Sequence, residues 1–425
     1  MKRALLLTYY LPPRQAIASV RAQHIVESLA SHGWEVIPVV PQVGDVHYSP
    51  PVRTTGVVEF RSPVRRLLGV RSGQTTHERF HVEQGSALER PSWKQRVLEV
   101  GHRTLGFADG RLGWLGPGVR AVKELLQSER VDAIISTSPP VATHLVAARS
   151  HGNVPWIADL RDPWLRNDAL GGGPILRAID ELLEGYAFQG AQALVTVSEP
   201  IAQGLRERYA HQRVYTIPNA FSSREWDPIP FVPPPKATFL HAGNLYRGLC
   251  NPLPFFEALA ELIREGAVAE SEVQVDLYGE PEGWLFAQAD ACGLSSVMTF
   301  HGRAPREEIL RRERAASRLI IFVRNGVDER GTYTGKLFEY FGARRKILAV
   351  GGPAGRTVMD EALEETGAGE RLRDVAGLRA AIVDAVREWR SGSTAILSEE
   401  AVAPFEVAHF GDRYAHVLEQ ARWSG

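Results

Sequence analysis

The sequence predicts two α/β domains in series, each a parallel sheet flanked by helices. Short apolar, β-branched runs alternate with amphipathic helical stretches along most of the chain, the pattern of repeated strand–helix–strand units. That alternation breaks at Phe231-Val232-Pro233-Pro234-Pro235 and then starts again, and three consecutive prolines favour a stiff, extended connector. The length, 425 residues, exceeds what one hydrophobic core usually serves. The chain therefore divides into a first domain over 1–230, a linker over 231–235, a second domain over 236–405 and a closing helical stretch over 406–425.

Each element has its own signal. The run at 4–8 is apolar and leads into a proline-containing loop. Apolar Val20, Ile25, Leu29 and Ala30 then fall near helical spacing over 19–32, Gly33 stands where a helix stop belongs, and 35–40 is again apolar and β-branched. Residues 43–118 are instead rich in Arg, Gly, Pro and Ser and read as loops and short helices inserted in the first domain, with one helix near 93–105. Strands follow at 131–136, 156–159, 193–197 and 214–217, with helices at 141–150, 175–189 and 201–209. Beyond the prolines, strands are expected at 238–242, 274–278, 298–300, 319–323 and 346–350. Helices are expected there at 254–265, 284–292, 306–315, 336–343 and 375–389, and a last one from about 412 to 422.

Hydrophobic residues make up 44% of the chain and charged residues 23%, ordinary for a globular enzyme. The formal net charge of −1 gives no global electrostatic reason to expect nucleic acid. Two cysteines, Cys250 and Cys292, are too few for a metal or disulfide framework, and a reducing cytoplasm is the simplest setting. The basic-then-apolar start is stopped by Pro12-Pro13 and reads as a buried first strand rather than a signal peptide. No stretch of about twenty apolar residues is present. Neither half carries Gly-x-Gly-x-x-Gly after its first strand, and no P-loop occurs, which argues against hydride transfer and ATP hydrolysis.

Open parallel sheets bind ligands beyond the carboxyl ends of their strands, so the informative residues lie in strand-to-helix loops. In Gly331-Thr332-Tyr333-Thr334-Gly335-Lys336-Leu337-Phe338-Glu339-Tyr340 a hydroxyl-rich loop opens a helix. Free N–H groups at a helix start suit a phosphate, Lys336 adds a full charge, and Glu339 stands one turn in, where it can accept two ribose hydroxyls. The plainer alternative is Thr334 as N-cap and Glu339 as a solvated helix charge. In His241-Ala242-Gly243-Asn244-Leu245-Tyr246-Arg247-Gly248, Gly243 permits close backbone approach and Arg247 offers a fork for a diphosphate; otherwise Arg247 is a surface arginine. Asp159-Leu160-Arg161-Asp162-Pro163-Trp164 ends a strand of the first domain, where two carboxylates around a guanidinium would orient an acceptor hydroxyl, hold the leaving phosphate or form a structural ion pair. Tyr278-Gly279-Glu280 and His301-Gly302-Arg303 close two strands of the second domain, presenting backbone groups to a base edge or making ordinary turns.

Taken in order, these peptides resemble a family 4 glycosyltransferase of the GT-B fold, of the kind common in bacterial polysaccharide and glycoconjugate synthesis. The resemblance runs through nearly the whole chain. It rests on Tyr10-Leu11-Pro12-Pro13 with Arg21, Asp109-Gly110-Arg111-Leu112-Gly113-Trp114, Ser136-Thr137-Ser138-Pro139-Pro140, 159–164, Val197-Ser198-Glu199 and Ile217-Pro218-Asn219-Ala220. It continues through 243–247, Tyr278-Gly279, 301–303 and 334–340. It implies two Rossmann-like domains facing across a cleft, the first mainly for the acceptor and the second for a nucleotide sugar, with the last helix crossing back to the first domain. It also implies retaining transfer to a hydroxyl of a saccharide, lipid-linked saccharide or small molecule, with no metal or other cofactor. Arg247 and Lys336 would be the diphosphate cations, and Glu339 the second glutamate of a Glu-seven-residues-Glu motif that holds the ribose. Gly331 stands where the first glutamate belongs, with Asp328 and Glu329 as nearby substitutes, and the 159–162 segment replaces the family's cleft histidine.

The expected site residues are therefore Arg247, Lys336 and Asp162 as the catalytic groups. Gly243, Tyr278, Gly279, His301, Gly302, Arg303, Thr334, Gly335 and Glu339 are expected around the donor, and Pro13, Arg14, Thr137, Asp159 and Arg161 on the acceptor side. Two rival readings are a nucleotide-sugar epimerase or hydrolase of the same fold and a binding module that has lost catalysis. Arg61, Arg65, Arg66, Arg71, Lys94, Arg96 and Arg103 among Leu67, Leu68, Trp93, Leu98 and Leu105 suggest a cytoplasmic enzyme in weak peripheral contact with an anionic membrane, against the plainer reading of a solvated insertion.

Overall fold

A computed structural model of the chain describes residues 1–14, 17–57, 111–164, 174–326, 328–393 and 396–422. The expected helix near 93–105 and the basic, apolar stretch lie outside the described residues. Two compact units form, Met1–Asn219 with Ala408–Gly425, and Ala220–Val407.

The first unit holds seven parallel strands: β1 (Lys2–Leu7), β2 (Trp34–Pro41), β3 (Arg53–Thr55), β4 (Ala133–Ser138), β5 (Trp156–Leu160), β6 (Ala193–Thr196) and β7 (Arg213–Thr216). They lie in the order β3-β2-β1-β4-β5-β6-β7. Every residue of β4 and β5 is buried, as expected of central parallel strands covered by helices on both faces. The last helix, Val407–Arg422, packs on this unit: His32 pairs with Asp412 at 2.8 Å, and Lys2 pairs with Glu419.

The second unit holds β8 (Ala237–Ala242), β9 (Val273–Tyr278), β10 (Met298–Gly302), β11 (Arg318–Val323), β12 (Ile347–Gly351) and β13 (Gly369–Leu372), in the order β10-β9-β8-β11-β12-β13. Alternate side chains of its strands enter two separate cores. Phe239 and Ile320 join Phe255, Phe256 and Ile382 on one face, while Leu240, Leu319 and Ile321 join Leu337, Phe338 and Phe341 on the other. The strand order reverses between β8 and β11, the switch point at which open α/β sheets bind ligands. Those two strands pair only at Arg318↔Phe239 and Leu319↔Leu240. Past that pairing the fully buried Tyr340 hydroxyl fills the opening: it accepts the Ala242 N–H at 3.2 Å and donates to the Ile320 carbonyl at 3.3 Å. Tyr340→Phe should therefore cost about 1–3 kcal/mol in urea unfolding, because it strands a buried backbone N–H; an unchanged midpoint would contradict the bridge.

The passage between units does not fall at the prolines. Arg21 donates to the carbonyls of Ile217 (3.1 Å) and Pro218 (3.3 Å) and to Asn219 Oδ1 (3.0 Å), fixing this stretch to the first unit. Phe221, Trp226 and Ile229 are already buried in the core of the second. Phe231–Pro235 therefore belongs to the second unit. The returning chain runs beside the outgoing one, with Val407 N–H donating to the Phe221 carbonyl (2.9 Å) and Phe221 N–H to that of Phe405 (3.0 Å). Among the described elements, β3, β13, the helices Leu115–Ser128 and Val358–Thr366, the one-turn helices Ser223–Trp226 and Glu399–Val402 and the short 3-10 turns lack a sequence expectation. Among the described residues, no helix is long and apolar enough to cross a membrane.

Candidate functional site

Three loops leave the carboxyl ends of β8, β9 and β10, and backbone bonds lace them together. Gly243 N–H donates to the Tyr278 carbonyl (2.7 Å), Gly279 N–H to that of Gly302 (2.9 Å) and Glu280 N–H to Asn244 Oδ1 (3.0 Å). Gly243 (φ 145°) and Gly279 (φ 139°) hold conformations that L side chains rarely adopt, and a Cβ on Gly279 would meet the Gly243 carbonyl oxygen at 2.5 Å. The result is a floor built of backbone. The N–H groups of Gly243 and Gly279 are spent inside it. Tyr278 is buried with its ring stacked on His301 at 4.4 Å, and His301 Nε2 donates to Asp276 at 2.9 Å. Exposed Arg303 is paired with Glu280.

The helix Gly335–Ala343 begins at this floor. Thr334 takes the N-cap position (φ −76°, ψ 140°), as the plainer reading has it, but its hydroxyl makes no capping bond. Lys336 sends its ammonium onto Gly243: a Cβ there would lie 1.8 Å from Nζ. Burial pushes the Lys336 ammonium below the ordinary lysine range, opposed by the charges of Glu339, Glu313 and Cys250. Burial and the Lys336 charge push His241 down to about 3, so its ring is neutral; Nδ1 donates to the Ile320 carbonyl at 2.9 Å. Arg247 stands on the same loop as Gly243, exposed and in no ion pair among the described residues. Asn325 N–H ties that loop to the end of β11 through the Leu249 carbonyl (2.7 Å).

Glu339 is neither free nor simply solvated. Arg306 Nη1 donates to its Oε2 at 2.7 Å, while Arg306 Nε and Nη2 hold both oxygens of Glu225 at 2.6 and 2.7 Å. Beside Glu339 lies Glu313, fully buried, neither of whose oxygens receives a hydrogen bond. Burial, then the neighbouring Glu339 carboxylate, push the Glu313 carboxyl well above the usual carboxylate range. Sequence reasoning missed Arg306 and Glu313 inside the charged run of the helix Arg306–Ala315. A signal was available: Leu310 and Glu313 are three residues apart, hence on one helix face, and both are buried. Gly331 ends a short 3-10 helix, Asp328–Gly331, and the side chains of Asp328 and Glu329 lie outside the described residues. Among the described residues, no three His, Cys, Asp or Glu are placed to hold a metal ion.

In the first unit the expected acceptor group comes apart. Asp159 is fully buried at the end of β5, where Arg21 Nε and Nη2 reach its two oxygens at 2.8 and 2.7 Å and the buried Thr137 hydroxyl donates at 2.7 Å. Burial works against the charge of Asp159, but the Arg21 guanidinium outweighs it and holds the carboxyl below its usual range. Thr137 and Asp159 therefore belong to a structural ion pair, a correction to their acceptor-side placement. Arg161 and Asp162 pair with each other at 3.1 Å and remain partly exposed. Pro13 is exposed in the loop after β1. Arg14 lies over the rings of Tyr10 (4.8 Å) and Tyr9 (5.4 Å), and Arg111 over Tyr9 (5.0 Å).

Residues 18–220 match the family model described as a glycosyl transferase 4-like domain. Among curated proteins no sequence matches. The chain is similar in structure to the sucrose-phosphate synthase of Thermosynechococcus elongatus, at 13% identity, covering 100% of both chains, with a TM-score of 0.62. It is also similar to an α,α-trehalose-phosphate synthase (UDP-forming) from Burkholderia vietnamiensis, at 11% identity over 99% of this chain and 100% of that one, with a TM-score of 0.60. A glycosyltransferase from Rickettsia africae is similar at 12% identity over 99% and 98%, with a TM-score of 0.57. At such identities the likeness shows the fold: two Rossmann-like α/β units in one chain.

Proposed function

We propose, of a chain that belongs to the family 4 glycosyltransferases and has the GT-B fold, that it moves a sugar from a nucleoside-diphosphate sugar to an acceptor hydroxyl with retention of configuration. The observation that carries this reading is the Lys336 ammonium lodged on Gly243 at the switch point of the second sheet, beside a helix start whose N-cap side chain is unspent. Departure of a nucleoside diphosphate develops negative charge on its terminal phosphate. A buried ammonium and the N–H groups at the start of the Gly335–Ala343 helix are fixed in advance to meet that charge. Arg247, exposed on the Gly243 loop, supplies a second cation. Glu339 accepts ribose hydroxyls and shares its carboxylate with Arg306. In the first unit Asp162, the more exposed member of the Arg161 pair, orients the acceptor hydroxyl. The UDP-forming synthase among the similar structures supports a nucleoside-diphosphate donor.

Incubation with a panel of nucleotide sugars and hydroxyl acceptors, followed by proton NMR of the product, tests the reaction. Retention at the anomeric carbon is expected. An inverted product would sink the stereochemical part, and conversion of the donor to its epimer without any acceptor would favour the epimerase reading. Since lysine, arginine and backbone carry the phosphate charge, the reaction needs no metal. EDTA should leave the initial rate within about twofold of the control, well under 1 kcal/mol; a rate abolished by EDTA and restored by Mg²⁺ would contradict this.

A further inference from the structure

We infer that Glu313 is a positioning residue of the donor site: as a neutral carboxyl buried between the helices Arg306–Ala315 and Gly335–Ala343, it sets Glu339 and leaves the Lys336 ammonium free to rest on Gly243. The inference builds on the donor-site reading above and adds a residue that touches neither sugar nor phosphate.

Glu313 is fully buried and neither oxygen receives a hydrogen bond. An ionised carboxylate without a donor, removed from water, costs far more than the surrounding contacts return, so the acid is neutral. A neutral carboxyl carries one O–H that needs an acceptor. The neighbouring acceptor is Glu339, which acts on Glu313 side chain to side chain and whose Oε2 takes Arg306 Nη1 at 2.7 Å. Two carboxyl groups sharing one proton avoid the repulsion of two adjacent anions.

Charge counting gives the device its purpose. With Glu313 neutral, the anions Glu339 and Glu225 balance the cations Lys336 and Arg306, and Arg306 is held by both glutamates. Lys336 is then not required to neutralise a second buried carboxylate. If Glu313 ionises, the cluster gains an uncompensated negative charge, and the nearest mobile cation is the Lys336 ammonium. Drawing it toward the carboxylates removes it from Gly243 and from the diphosphate. The charged and titratable groups that act on Glu313 are Glu339, Lys336 and Tyr340 from the facing helix and Arg306 from its own. His241 on β8 and Cys250 in the loop after it act on Lys336.

The sign of the pH effect follows from the raised carboxyl pKa. The positioned state is complete at low pH and is lost as pH rises through the folded-state value. Lys336, pushed down by burial, loses its charge in the same direction, so the two must be separated by mutation.

The test is calorimetric titration of UDP, GDP, ADP and dTDP into the full-length protein, from about pH 6 to about pH 9.5, for wild type, Glu313→Gln, Glu313→Ala and Lys336→Ala. Glu313→Gln keeps a donor of the same shape and cannot ionise. It should bind the preferred diphosphate within about threefold of wild type at the acid end and shift the alkaline loss of affinity upward by about one pH unit, a tenfold difference at fixed pH. Glu313→Ala should bind at least about tenfold more weakly than wild type at the acid end. Identical pH profiles for wild type and Glu313→Gln would overturn the inference even if Glu313→Ala fails to fold. If Lys336→Ala binds as wild type does, or if wild type binds none of the four, the donor-site reading fails instead.

Discussion

Lys336→Ala lowers kcat/KM for the nucleotide sugar on the order of 100-fold, about 3 kcal/mol, while the unfolding transition stays close to that of wild type. The size follows from placement. A charge held in a water-poor site is already oriented when the leaving phosphate develops its charge, and losing one such group costs far more than losing an exposed ion pair. The fold should survive because the ammonium is buried at some cost and lies at a helix N-terminus, where the helix dipole does not favour a cation. Gly243→Ala should reproduce the defect while the lysine is intact. The added Cβ would stand 1.8 Å from Nζ, at a backbone φ of 145° that alanine resists, so the ammonium must leave. Steady-state kinetics on both variants decides the matter; near-wild-type turnover in Lys336→Ala would refute the charge-stabilisation account.

Arg21→Ala destabilises the first unit by about 3–5 kcal/mol, the usual penalty for removing one partner of a buried ion pair and leaving the other unpaired. Asp159, fully buried and bonded through both oxygens to Arg21, would be left with the Thr137 hydroxyl alone among these partners. Arg21 does more than pair. It holds the stretch Ile217–Asn219 by three bonds and lies 5.2 Å over the ring of Phe410 and 5.9 Å over that of Tyr414 in the last helix. Hydrogen exchange in 407–422 should therefore rise before the rest of the unit does. The pair also has a pH signature. The carboxyl of Asp159 is held below its unfolded value, so its contribution is present above about pH 4 and is lost as pH falls through the folded value. Urea unfolding across the acid range, wild type against Arg21→Ala, measures both effects; an unchanged midpoint would show that the pair contributes nothing.

Much of the fold was legible because its central strands are unbroken apolar runs. Arg318–Val323 reads Arg-Leu-Ile-Ile-Phe-Val and can hardly be placed elsewhere than inside a sheet. Two of the four edge strands were not legible. Arg-Thr-Thr in β3 and Gly-Glu-Arg-Leu in β13 lie at sheet edges and carry little apolar signal. The helix Leu115–Ser128 was hidden by Gly116, Pro117 and Gly118 in its first turn, a place that tolerates proline; Gly118 fits there because a Cβ would press on Val146 at 3.0 Å. The proline run was the loudest boundary signal, yet the passage between units is set by Arg21 and by the burial of Phe221 and Trp226, which no local pattern announces.

The candidate site divides in the same way. Lys336 stands out locally as a charge at a helix start, but its arrival at Gly243 is a long-range contact. Asp159 was grouped with Arg161 because they are neighbours in sequence, whereas its partner is Arg21 on a distant helix. Glu313 sat unnoticed among exposed charges, its one local signal being the three-residue spacing from Leu310.

The most direct measurement is the melting temperature of the wild-type and Lys336→Ala proteins with and without saturating UDP, GDP, ADP or dTDP. A ligand present at about 100 times its Kd stabilises the native state by about 2.7 kcal/mol, which moves Tm by at least about 5 °C in a unit of this size. At least one diphosphate should produce that rise in wild type and none in Lys336→Ala. A diphosphate that raised both melting temperatures equally would contradict the account.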